Sequence, residues 1–450
     1  MSRNNRGVFP LNHDVAVIGL GYVGLTFAIA LADVGFDVLG VEKRPEIVDM
    51  TNDGVPHFSE NGLEGVMKHV LAEGKMSAAT SLPADGHADI YVITVGTPLK
   101  DGRFNLDFIK SAAKEVADNM QDGALIILRS TVAIGTARNV VAPILAASGK
   151  TFQIAMCPER TLEGRAMSEL RSLPQIIGAD DDATRQRAAH FFYRLTHTAV
   201  QVSSLETAEV VKLVDNTYRD IQFGFANEVA RICDAYGINA LEVINGGKLG
   251  YPRTNVALPG LVGGPCLEKD PHILAQSLEQ KGLNLEITQA ARMVNERQPI
   301  ETVGFINGRL SAREGRGKPV VALAGMAFKG VPATDDLRGS MAHKILAAVR
   351  KQIPDAEIRV YDPVCTLAHM EKEGVDADKL CATLEEAISG ADCLIIANNH
   401  PALGEVTPVQ VAKHLNKGGF VYDYWNHFSD RRAHEIGQSY YAVGNTREGV

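Results

Sequence analysis

The sequence predicts an α/β protein in which two doubly wound sheets are joined by a long central helix and a helical domain. Short apolar runs alternate with helical patterns over residues 14–178, and the same alternation returns over residues 320–422. Such alternation is typical of mostly parallel sheets covered by helices. Between the two regions, residues 205–236 keep a helical period without proline, which is longer than a typical globular helix.

Size and composition limit the possible functions. A chain of 450 residues is too long for one ordinary core, so two or three domains are expected. The apolar fraction of 45% and the charged fraction of 22% are typical of globular proteins. The net charge of −9 argues against nucleic-acid binding and against an anionic membrane surface. No apolar run is long enough to span a membrane and the N-terminus does not read as a signal peptide, so we expect a cytoplasmic protein.

The cysteines and histidines give no sign of a metal site. The 6 cysteines are scattered and include no C-x-x-C pair, which suits a reducing compartment. The sequence also lacks an H-E-x-x-H motif and any dense His/Cys cluster, so we expect no metal.

The strands of both sheets are predicted from short apolar runs, as expected for strands buried on both faces. In the first sheet these runs are residues 14–19, 36–41, 90–95, 124–128, 153–156 and 175–178. In the last sheet they are residues 320–324, 358–361, 393–397 and 420–422. A Gly/Pro-rich loop at residues 250–265 follows the long helix, and a charged linker at residues 311–318 precedes the last sheet.

A glycine-rich turn follows the first strand and opens a helix. It reads Gly19-Leu20-Gly21-Tyr22-Val23-Gly24. In this context G-x-G-x-x-G is typical of dinucleotide binding, because glycines form the turn and let the pyrophosphate approach the helix N-terminus. We expect Tyr22 and Val23 to contact the cofactor as well. A glycine turn that serves packing alone is the weaker alternative.

Glu42 closes the second strand about twenty residues further on, where this fold places an acidic residue. Its carboxylate would accept hydrogen bonds from the adenosine ribose and repel a 2′-phosphate, so it favours NAD over NADP. Lys43 and Arg44 leave this preference open, because nearby cations could tolerate the extra phosphate.

Other polar residues end the following strands. Thr97 and Thr131 follow the third and fourth strands, at the sheet edge where open α/β sheets bind ligands. Their hydroxyls could line the nicotinamide region. The alternative, that both threonines only form the turns that end the strands, fits the sequence nearly as well. Glu159 and Glu163 follow the fifth strand as two carboxylates four residues apart.

A single cysteine lies in an unusual setting at residues 261–271. Gly263 and Gly264 precede Cys266, and Asp270 follows it by four residues. The glycines allow unusual backbone conformations and close approach of a substrate. A thiol held there, with Lys269 and Asp270 nearby, is a candidate nucleophile. A turn that carries a buried structural cysteine fits these residues equally well.

Lys212 and Asn216 lie four residues apart on the long helix, and therefore on one face of it. A lysine and an asparagine in this arrangement usually form part of a solvated stripe. Their meaning depends on the other motifs.

In this order the motifs resemble those of the UDP-glucose/GDP-mannose dehydrogenase family, the nucleotide-sugar 6-dehydrogenases. The resemblance runs from Val15 to about Asn426 and includes Gly325-Met-Ala-Phe-Lys329 and Asp336-Leu-Arg338. It implies an NAD-binding Rossmann domain at residues 1–203 and a central helical dimerisation domain with catalytic residues at residues 204–305. It also implies a Rossmann-like domain at residues 306–450 that binds the UDP-sugar, and a homodimer formed through the central helix.

The resemblance also implies a reaction. Oxidation of a primary alcohol to a carboxylate removes four electrons as two hydrides, and NAD accepts them. Cys266 would capture the intermediate aldehyde as a thiohemiacetal, which the second oxidation converts to a thioester. Lys212 and Asn216 would stabilise the oxyanion.

The resemblance implies roles for three carboxylates in the same reaction. Asp270 would position or activate water near Lys212. Glu163 would act as general base in thioester hydrolysis, with Glu159 supporting proton transfer.

The substrate is expected to contact residues from two parts of the chain. They are Gly263, Gly264, Phe328, Lys329 and Arg338. Lys329 and Arg338 resemble anion binders for the UDP pyrophosphate, because a guanidinium pairs with two phosphate oxygens and an ammonium supplies a point charge. The alternative for Arg338 is a surface ion pair with Asp335 or Asp336.

The segment 216–220 and the Asp335-Asp336-Leu-Arg338 sequence resemble those of UDP-N-acetylhexosamine dehydrogenases. The resemblance implies UDP-N-acetylmannosamine or UDP-N-acetylglucosamine as the substrate, and the form of residues 216–220 favours UDP-N-acetylmannosamine. Such an enzyme would supply precursors of a surface polysaccharide. Arg219 could donate to the N-acetyl carbonyl, or pair with Asp220 or a partner chain.

The Gly-Gly-Pro-Cys sequence departs from those enzymes, so UDP-glucose is the alternative substrate. A two-electron hydroxyacid dehydrogenase is a remote alternative, and it would release one NADH per substrate rather than two.

Overall fold

A computed structural model describes residues 13–83, 88–100, 102–279, 281–312, 317–428 and 440–446. The chain divides into two compact units. The first contains the residues up to Asp215 together with His272–Gly282, and the second contains Asn216–Pro271 and the residues from Leu283 onward. None of the helices in the described ranges combines the length and apolar character needed to cross a membrane.

The first unit contains ten strands in its described part. They are β1 (His13–Ile18), β2 (Val38–Val41), β3 (Met76–Ala79), β4 (Ala88–Ile93), β5 (Leu99–Lys100), β6 (Arg103–Phe104), β7 (Ala124–Leu128), β8 (Phe152–Met156), β9 (Gln175–Gly178) and β10 (Ala199–Val202). Its helices up to residue 192 are α1 (Tyr22–Asp33), α2 (Pro45–Asn52), α3 (Leu63–Ala72), α4 (Asp107–Asn119), α5 (Ala142–Ala146), α6 (Ala166–Ser172) and α7 (Asp182–Phe192). A π-helical turn at Ala137–Val141 leads into α5.

The first sheet has eight strands in the order β10-β9-β8-β7-β4-β1-β2-β3. β1 pairs in parallel with both β2 and β4, so that Val15 lies between Val38 and Ile90. The one antiparallel pairing in this sheet joins β8 to β9 at Met156 and Gly178. β7 is buried along its whole length, as expected for a strand covered by helices on both faces. The predicted doubly wound α/β sheet is confirmed, and β3 and β10 extend it beyond the predicted strands.

The boundary between the units falls inside the long helix α8 (Leu205–Tyr236) and again at the start of α11 (Asp270–Glu279). The remaining helices belong to the second unit. They are α9 (Ala240–Lys248), α10 (Gly264–Leu267), α12 (Glu286–Ser311), α13 (Met341–Gln352), α14 (Leu367–Lys372), α15 (Leu384–Ile388), α16 (Ala402–Glu405) and α17 (Pro408–His414).

The second sheet is parallel throughout its described strands. These are β11 (Val320–Ala324), β12 (Glu357–Tyr361), β13 (Lys379–Leu380), β14 (Cys393–Ile396), β15 (Phe420–Asp423) and β16 (Tyr440–Ala442). Their order is β13-β12-β11-β14-β15-β16, so the chain reverses its winding direction after β13. The carboxyl ends of β11 and β14 therefore lie at the edge where such folds bind ligands.

In the second unit α8 packs closely against α12. A Cβ atom on Gly224 would lie 2.8 Å from the Cβ of Ala291, so the glycine is needed for this close approach. The predicted helix over residues 205–236 is confirmed with the same bounds.

Candidate active site

The glycine turn after β1 fits a pyrophosphate. α1 begins at Tyr22, and Gly21 at its N-cap supplies no side-chain cap for the first N–H groups. No described atom lies within 4 Å of where a Cβ on Gly21 would stand, so a ligand can approach the helix N-terminus. A Cβ on Gly24 would lie 1.7 Å from the Gly19 carbonyl oxygen, so only glycine lets α1 pack on the turn.

Glu42 lies at the end of β2 beside this turn. Its carboxylate accepts hydrogen bonds from the Leu20 N–H at 3.1 Å and from the Arg44 Nε at 3.0 Å. Burial raises the pKa of Glu42, but the contacts with Arg44 outweigh burial and hold the pKa below its usual value. Lys43 forms an ion pair with Glu115 at 2.6 Å. Both neighbouring cations are therefore paired with carboxylates.

The loops after β4 and β7 are bonded to each other. The Thr97 hydroxyl donates to the Thr131 carbonyl at 2.6 Å, and the Ser130 hydroxyl donates to the Val95 carbonyl at 2.7 Å. Thr97 is buried and Thr131 is half-buried. Both threonines therefore lie at the carboxyl edge of the first sheet, and their contact with a nicotinamide ring stays a prediction.

Glu159 is buried and its oxygens are occupied. It forms an ion pair with the buried Arg129, and its Oε1 accepts the N–H groups of Arg160 and Thr161 at 2.6 Å each. Burial raises the pKa of Glu159, but the Arg129 charge, these N–H groups and the Lys212 charge together lower it. A carboxylate held ionised in this way suits an anchoring role better than proton transfer.

Glu163 lies half-buried in a loop that is fixed by Glu60. The Gly164 N–H donates to Glu60 at 2.7 Å and the Ala166 N–H donates to its other oxygen at 2.9 Å. The Tyr22 hydroxyl also bonds to Glu60. Glu60 therefore connects the cofactor turn to the loop that carries the predicted general base.

Lys212 lies buried on α8 within the first unit, close enough to Glu159 for its charge to lower the Glu159 pKa. Asn216 follows it by one helical turn. The structure thus places the predicted oxyanion donors on one face of a continuous helix.

Cys266 differs from the other cysteines in its exposure. All six cysteines lie in the described part of the chain and carry free thiols, and five of them are buried whereas Cys266 is exposed. It lies in the short helix α10 after the glycine pair. This exposure favours the nucleophile over the buried structural cysteine that the sequence left open.

Asp270 is completely buried, and both of its oxygens are bonded by nearby donors. The Asn216 amide donates to Oδ2 at 2.6 Å, and the Lys269 ammonium donates to Oδ1 at 2.8 Å. Asn216 and Asp270 are therefore in direct contact, whereas the predicted role of Asp270 with water near Lys212 stays a prediction. Within the second unit the Lys269 ammonium is the cation that contacts Asp270, and this contact was not predicted.

The glycine pair packs against the loops after β11. The Gly264 N–H donates to the Gly339 carbonyl at 2.7 Å. A Cβ on Gly264 would lie 2.5 Å from the Phe328 ring, and Gly264 also has a φ of +90°, so it must be glycine. Gly263, Gly264 and Phe328 are thus gathered beside Cys266.

The predicted anion binders lie near this loop but differ in their surroundings. The Lys329 ammonium lies 5.2 Å from the centre of the Phe328 ring. Arg338 donates through Nε to both oxygens of Asp336, at 2.9 and 3.0 Å, and its side chain is 62% exposed. The ion pair with Asp336 that the sequence offered as an alternative is therefore present. A phosphate would compete for the same guanidinium.

Arg219 is exposed on α8 beside the exposed Tyr218. Its potential partner Asp220 is bonded to Arg292 at 2.6 Å. Recognition of an N-acetyl group by Arg219 stays a prediction.

Three comparisons place this arrangement among known proteins. Models of the UDP-glucose/GDP-mannose dehydrogenase family match the chain with the NAD binding domain at residues 13–196, the central domain at residues 206–297 and the UDP binding domain at residues 322–430. The chain is 32% identical to the UDP-N-acetyl-D-mannosamine dehydrogenase of Pyrococcus horikoshii over 89% of this chain and 93% of that protein.

Solved structures agree with the sequence matches. The structure of the UDP-D-ManNAc dehydrogenase of Pyrococcus horikoshii matches with a TM-score of 0.86 at 30% identity, over 97% of this chain and 100% of that chain. A UDP-glucose dehydrogenase of Pyrobaculum islandicum matches with a TM-score of 0.83 at 27% identity, over 98% and 100% of the chains. The chain therefore belongs to the UDP-glucose/GDP-mannose dehydrogenase family and is an NAD-dependent nucleotide-sugar dehydrogenase.

Proposed function

We propose that the chain oxidises the C6 alcohol of UDP-N-acetylmannosamine to the uronic acid, which serves as a precursor of a surface polysaccharide. The exposed Cys266 carries this proposal, because a thiol that a sugar aldehyde can reach is the group the four-electron reaction needs. The choice of UDP-N-acetylmannosamine rests on relatives named UDP-N-acetyl-D-mannosamine dehydrogenase, which align with most of the chain.

The reaction balances as a four-electron oxidation. The alcohol, two NAD⁺ and one water give the carboxylate, two NADH and three protons. When bound, NAD supplies the hydride acceptor, and the glycine turn with Glu42 fits it. The residues of the chain hold the sugar, trap the aldehyde and move protons.

Cys266 acts after the first oxidation. Its Sγ adds to the aldehyde carbon, and the aldehyde oxygen becomes the oxygen of the thiohemiacetal. Removal of the second hydride from this carbon, with loss of the hydroxyl proton, leaves a thioester. Water then adds to the thioester, the C–S bond breaks, and the thiolate is restored.

Asn216 and Lys212 stabilise the negative oxygen that forms in these additions. Asp270 fixes the Asn216 amide through the 2.6 Å bond, and the amide nitrogen keeps a second N–H that can donate to the oxyanion. Glu163 accepts the proton from the attacking water, since its loop is fixed by Glu60 whereas Glu159 is occupied by Arg129.

The nucleotide binds to the loops after β11. Lys329 and Arg338 neutralise the pyrophosphate, and Phe328 supplies an apolar surface next to the glycine pair. Asp336 holds Arg338 until the phosphate replaces it.

The chain forms a homodimer through α8. Tyr218, Phe225 and Ile232 are 60%, 55% and 53% exposed, and they follow each other at intervals of seven residues along the helix. A seven-residue spacing places them along one stripe, as at a helix–helix interface. Large apolar side chains on α12, including Ile300, are similarly exposed and extend the apolar surface.

A panel of UDP-sugars tests the proposal. We expect UDP-N-acetylmannosamine to give the highest kcat/KM and two NADH per sugar consumed, with UDP-glucose and UDP-N-acetylglucosamine far slower. Cys266→Ser should abolish formation of the acid while binding of the UDP-sugar, measured by calorimetry, is retained. Near wild-type NADH production by Cys266→Ser would eliminate the covalent mechanism, and a preference for UDP-glucose would reassign the substrate.

A further inference from the structure

The turn that carries Cys266 rests on a buried arginine from α12. Arg292 donates from Nη1 to the Leu267 carbonyl at 2.9 Å and from Nη2 to the Val262 carbonyl at 3.1 Å. These carbonyls flank the segment that contains the glycine pair and Cys266. One planar guanidinium therefore holds both ends of the segment at a fixed separation.

The guanidinium is itself fixed by an acidic residue of α8. Its Nη1 also donates to Asp220 Oδ1 at 2.6 Å. The Asn295 amide donates to the carbonyl and to Oδ1 of Asp220, at 3.1 and 3.0 Å. The exposed fractions of the Arg292 and Asp220 side chains are 3% and 0%. The arginine is thus anchored between two helices before it reaches the turn.

A buried ion pair of this kind is weak evidence for a contribution to stability. Desolvation of the two charges offsets much of their attraction, and apolar pairs of similar size are often as stable. Arginine nevertheless offers something that apolar residues and lysine lack, which is a rigid fork with several donors. Four hydrogen bonds of the Arg292 guanidinium go to Asp220, to Glu296 and to the two carbonyls.

The turn is also held by Gly339 and by a residue of α13. The Gly264 N–H bonds to the Gly339 carbonyl, and Lys344 on α13 pairs with Glu268 at 3.0 Å. Two sets of contacts therefore limit how far the Cys266 backbone can shift, and the Arg292 set is the more deeply buried.

We propose that Arg292, anchored by Asp220, is a positioning residue that holds Cys266 Sγ where it can attack the aldehyde. This inference rests on the proposed covalent role of Cys266. Its direct consequence is that loosening the fork slows the steps at sulfur without weakening nucleotide binding. A misplacement of about 1 Å can cost roughly a hundredfold in rate.

Arg292→Lys is the primary test, with Glu296→Gln as its matched control. The lysine keeps the charge for Asp220 but cannot reach both carbonyls. With UDP-N-acetylmannosamine, we expect kcat to fall by roughly 10- to 100-fold while KM stays within about threefold. Glu296→Gln removes the charge of a partly exposed partner and leaves the carbonyl bonds intact, so it should retain wild-type kcat.

Hydrogen exchange provides a readout that is independent of turnover. In Arg292→Lys, amides in peptides covering residues 262–268 should exchange at least about tenfold faster, and peptides from β11 and β12 should not change. An unchanged rate in 262–268 together with wild-type kcat would overturn the proposal. If Cys266→Ser keeps its turnover, the proposed covalent role of Cys266 is wrong. The exchange rates would still show whether the Arg292 guanidinium holds residues 262–268.

The double variant Asp220→Leu with Arg292→Met covers the case in which Arg292→Lys fails to fold. It removes both buried charges together, a change that proteins often tolerate. We expect a folded chain with the same loss of kcat and the same faster exchange. A folded double variant with wild-type kcat, or failure of both variants to fold, would assign the pair to the core and overturn the positioning role.

Discussion

The hydrogen-bonding capacity of Glu42, the acidic residue of the dinucleotide motif, is limited by its neighbour Arg44. A carboxylate has about four acceptor positions, and the Leu20 N–H and Arg44 occupy four contacts on Glu42. A ribose hydroxyl can bond to Glu42 only by replacing one of the Arg44 contacts. We therefore expect Arg44 to modulate cofactor selection through Glu42, because its guanidinium is paired with that carboxylate.

We expect Glu42→Ala to narrow the preference for NAD over NADP. The substitution removes the acceptor for the ribose and frees the Arg44 guanidinium for a 2′-phosphate. The ratio of kcat/KM for the two cofactors should shift towards NADP by about tenfold or more, since a hydrogen bond to a charged group contributes about 1.5–3 kcal/mol. Kinetics with each cofactor at saturating UDP-sugar measures the ratio.

Arg44→Ala in the same background separates the two residues. If the freed guanidinium causes the shift, the double variant should lose most of the gain with NADP. A ratio that is unchanged in Glu42→Ala would show that the cofactor is selected elsewhere.

Residues that are close in sequence were easier to predict than residues that meet only in the fold. The glycine pair, Cys266 and Asp270 lie within eight positions, so the sequence presents them together as members of one candidate site. Arg292 meets Asp220 across 72 positions, and Glu60 meets Gly164 across 104. No local pattern marks such pairs, because an arginine inside a helical period looks the same whether it faces solvent or a buried carboxylate.

At the level of elements, the helix with a strong apolar period was predicted correctly, whereas two short strands were not predicted. α8 has the predicted bounds because its apolar residues repeat over many turns without proline. β3 reads MSAA and β10 reads AVQV, and each is only partly buried. Such short, mixed sequences resemble loops, and their pairing with β2 and β9 places them in the sheet.

We expect the combined substitution of Phe225→Glu and Ile232→Glu to dissociate the proposed dimer. In a twofold interface each substitution acts twice, and burying one Phe or Ile side chain contributes about 1.5–3 kcal/mol. The dissociation constant should therefore rise by at least about a hundredfold. Light scattering during gel filtration at micromolar concentration should give the mass of one chain for the variant and two for the wild type.

Val409→Glu is the control for the charge change. Val409 is a large apolar residue on α17 that is 41% exposed, outside α8 and α12. It should leave the assembly unchanged. A wild type that already runs as one chain would contradict the assignment of the α8 stripe to an interface.

For the molecule as a whole, we expect Glu209 to make the free energy of unfolding depend on pH. This carboxyl on α8 is 1% exposed and accepts the N–H groups of Gly135 at 2.5 Å and Ala137 at 2.9 Å. Burial raises the pKa of Glu209 to about 7, and these N–H groups only partly oppose the rise. The folded chain therefore holds this proton more tightly than the unfolded chain.

The sign of the effect follows from the raised pKa. The protonated Glu209 carboxyl contributes fully to the free energy of unfolding below the ordinary glutamate pKa. This contribution is lost as the pH rises towards about 7. The loss amounts to at most roughly 3 kcal/mol. We expect Glu209→Gln to lack this pH dependence, so its Tm relative to wild type should increase between pH 5 and pH 8, values that bracket the transition.

Glu206, one turn earlier on α8, is the matched control. Hydrogen bonds from Arg138 lower the pKa of Glu206, so it is ionised in both folded and unfolded chains above its ordinary pKa. The Tm difference for Glu206→Gln should change much less over the same pH range, because burial contributes more than the Glu206 charge to the raised Glu209 pKa. A constant difference for Glu209→Gln would refute the proton-linked contribution of Glu209.

Only one of the six cysteine thiols is exposed in the folded chain, so this thiol can be labelled selectively. A water-soluble disulfide reagent should titrate one equivalent per native chain and six after denaturation. A maleimide fluorophore would then report from the turn of Cys266 without removal of any other cysteine. If Cys266 acts as proposed, peroxide should inactivate the chain by oxidising this exposed thiol, while the five buried thiols are protected.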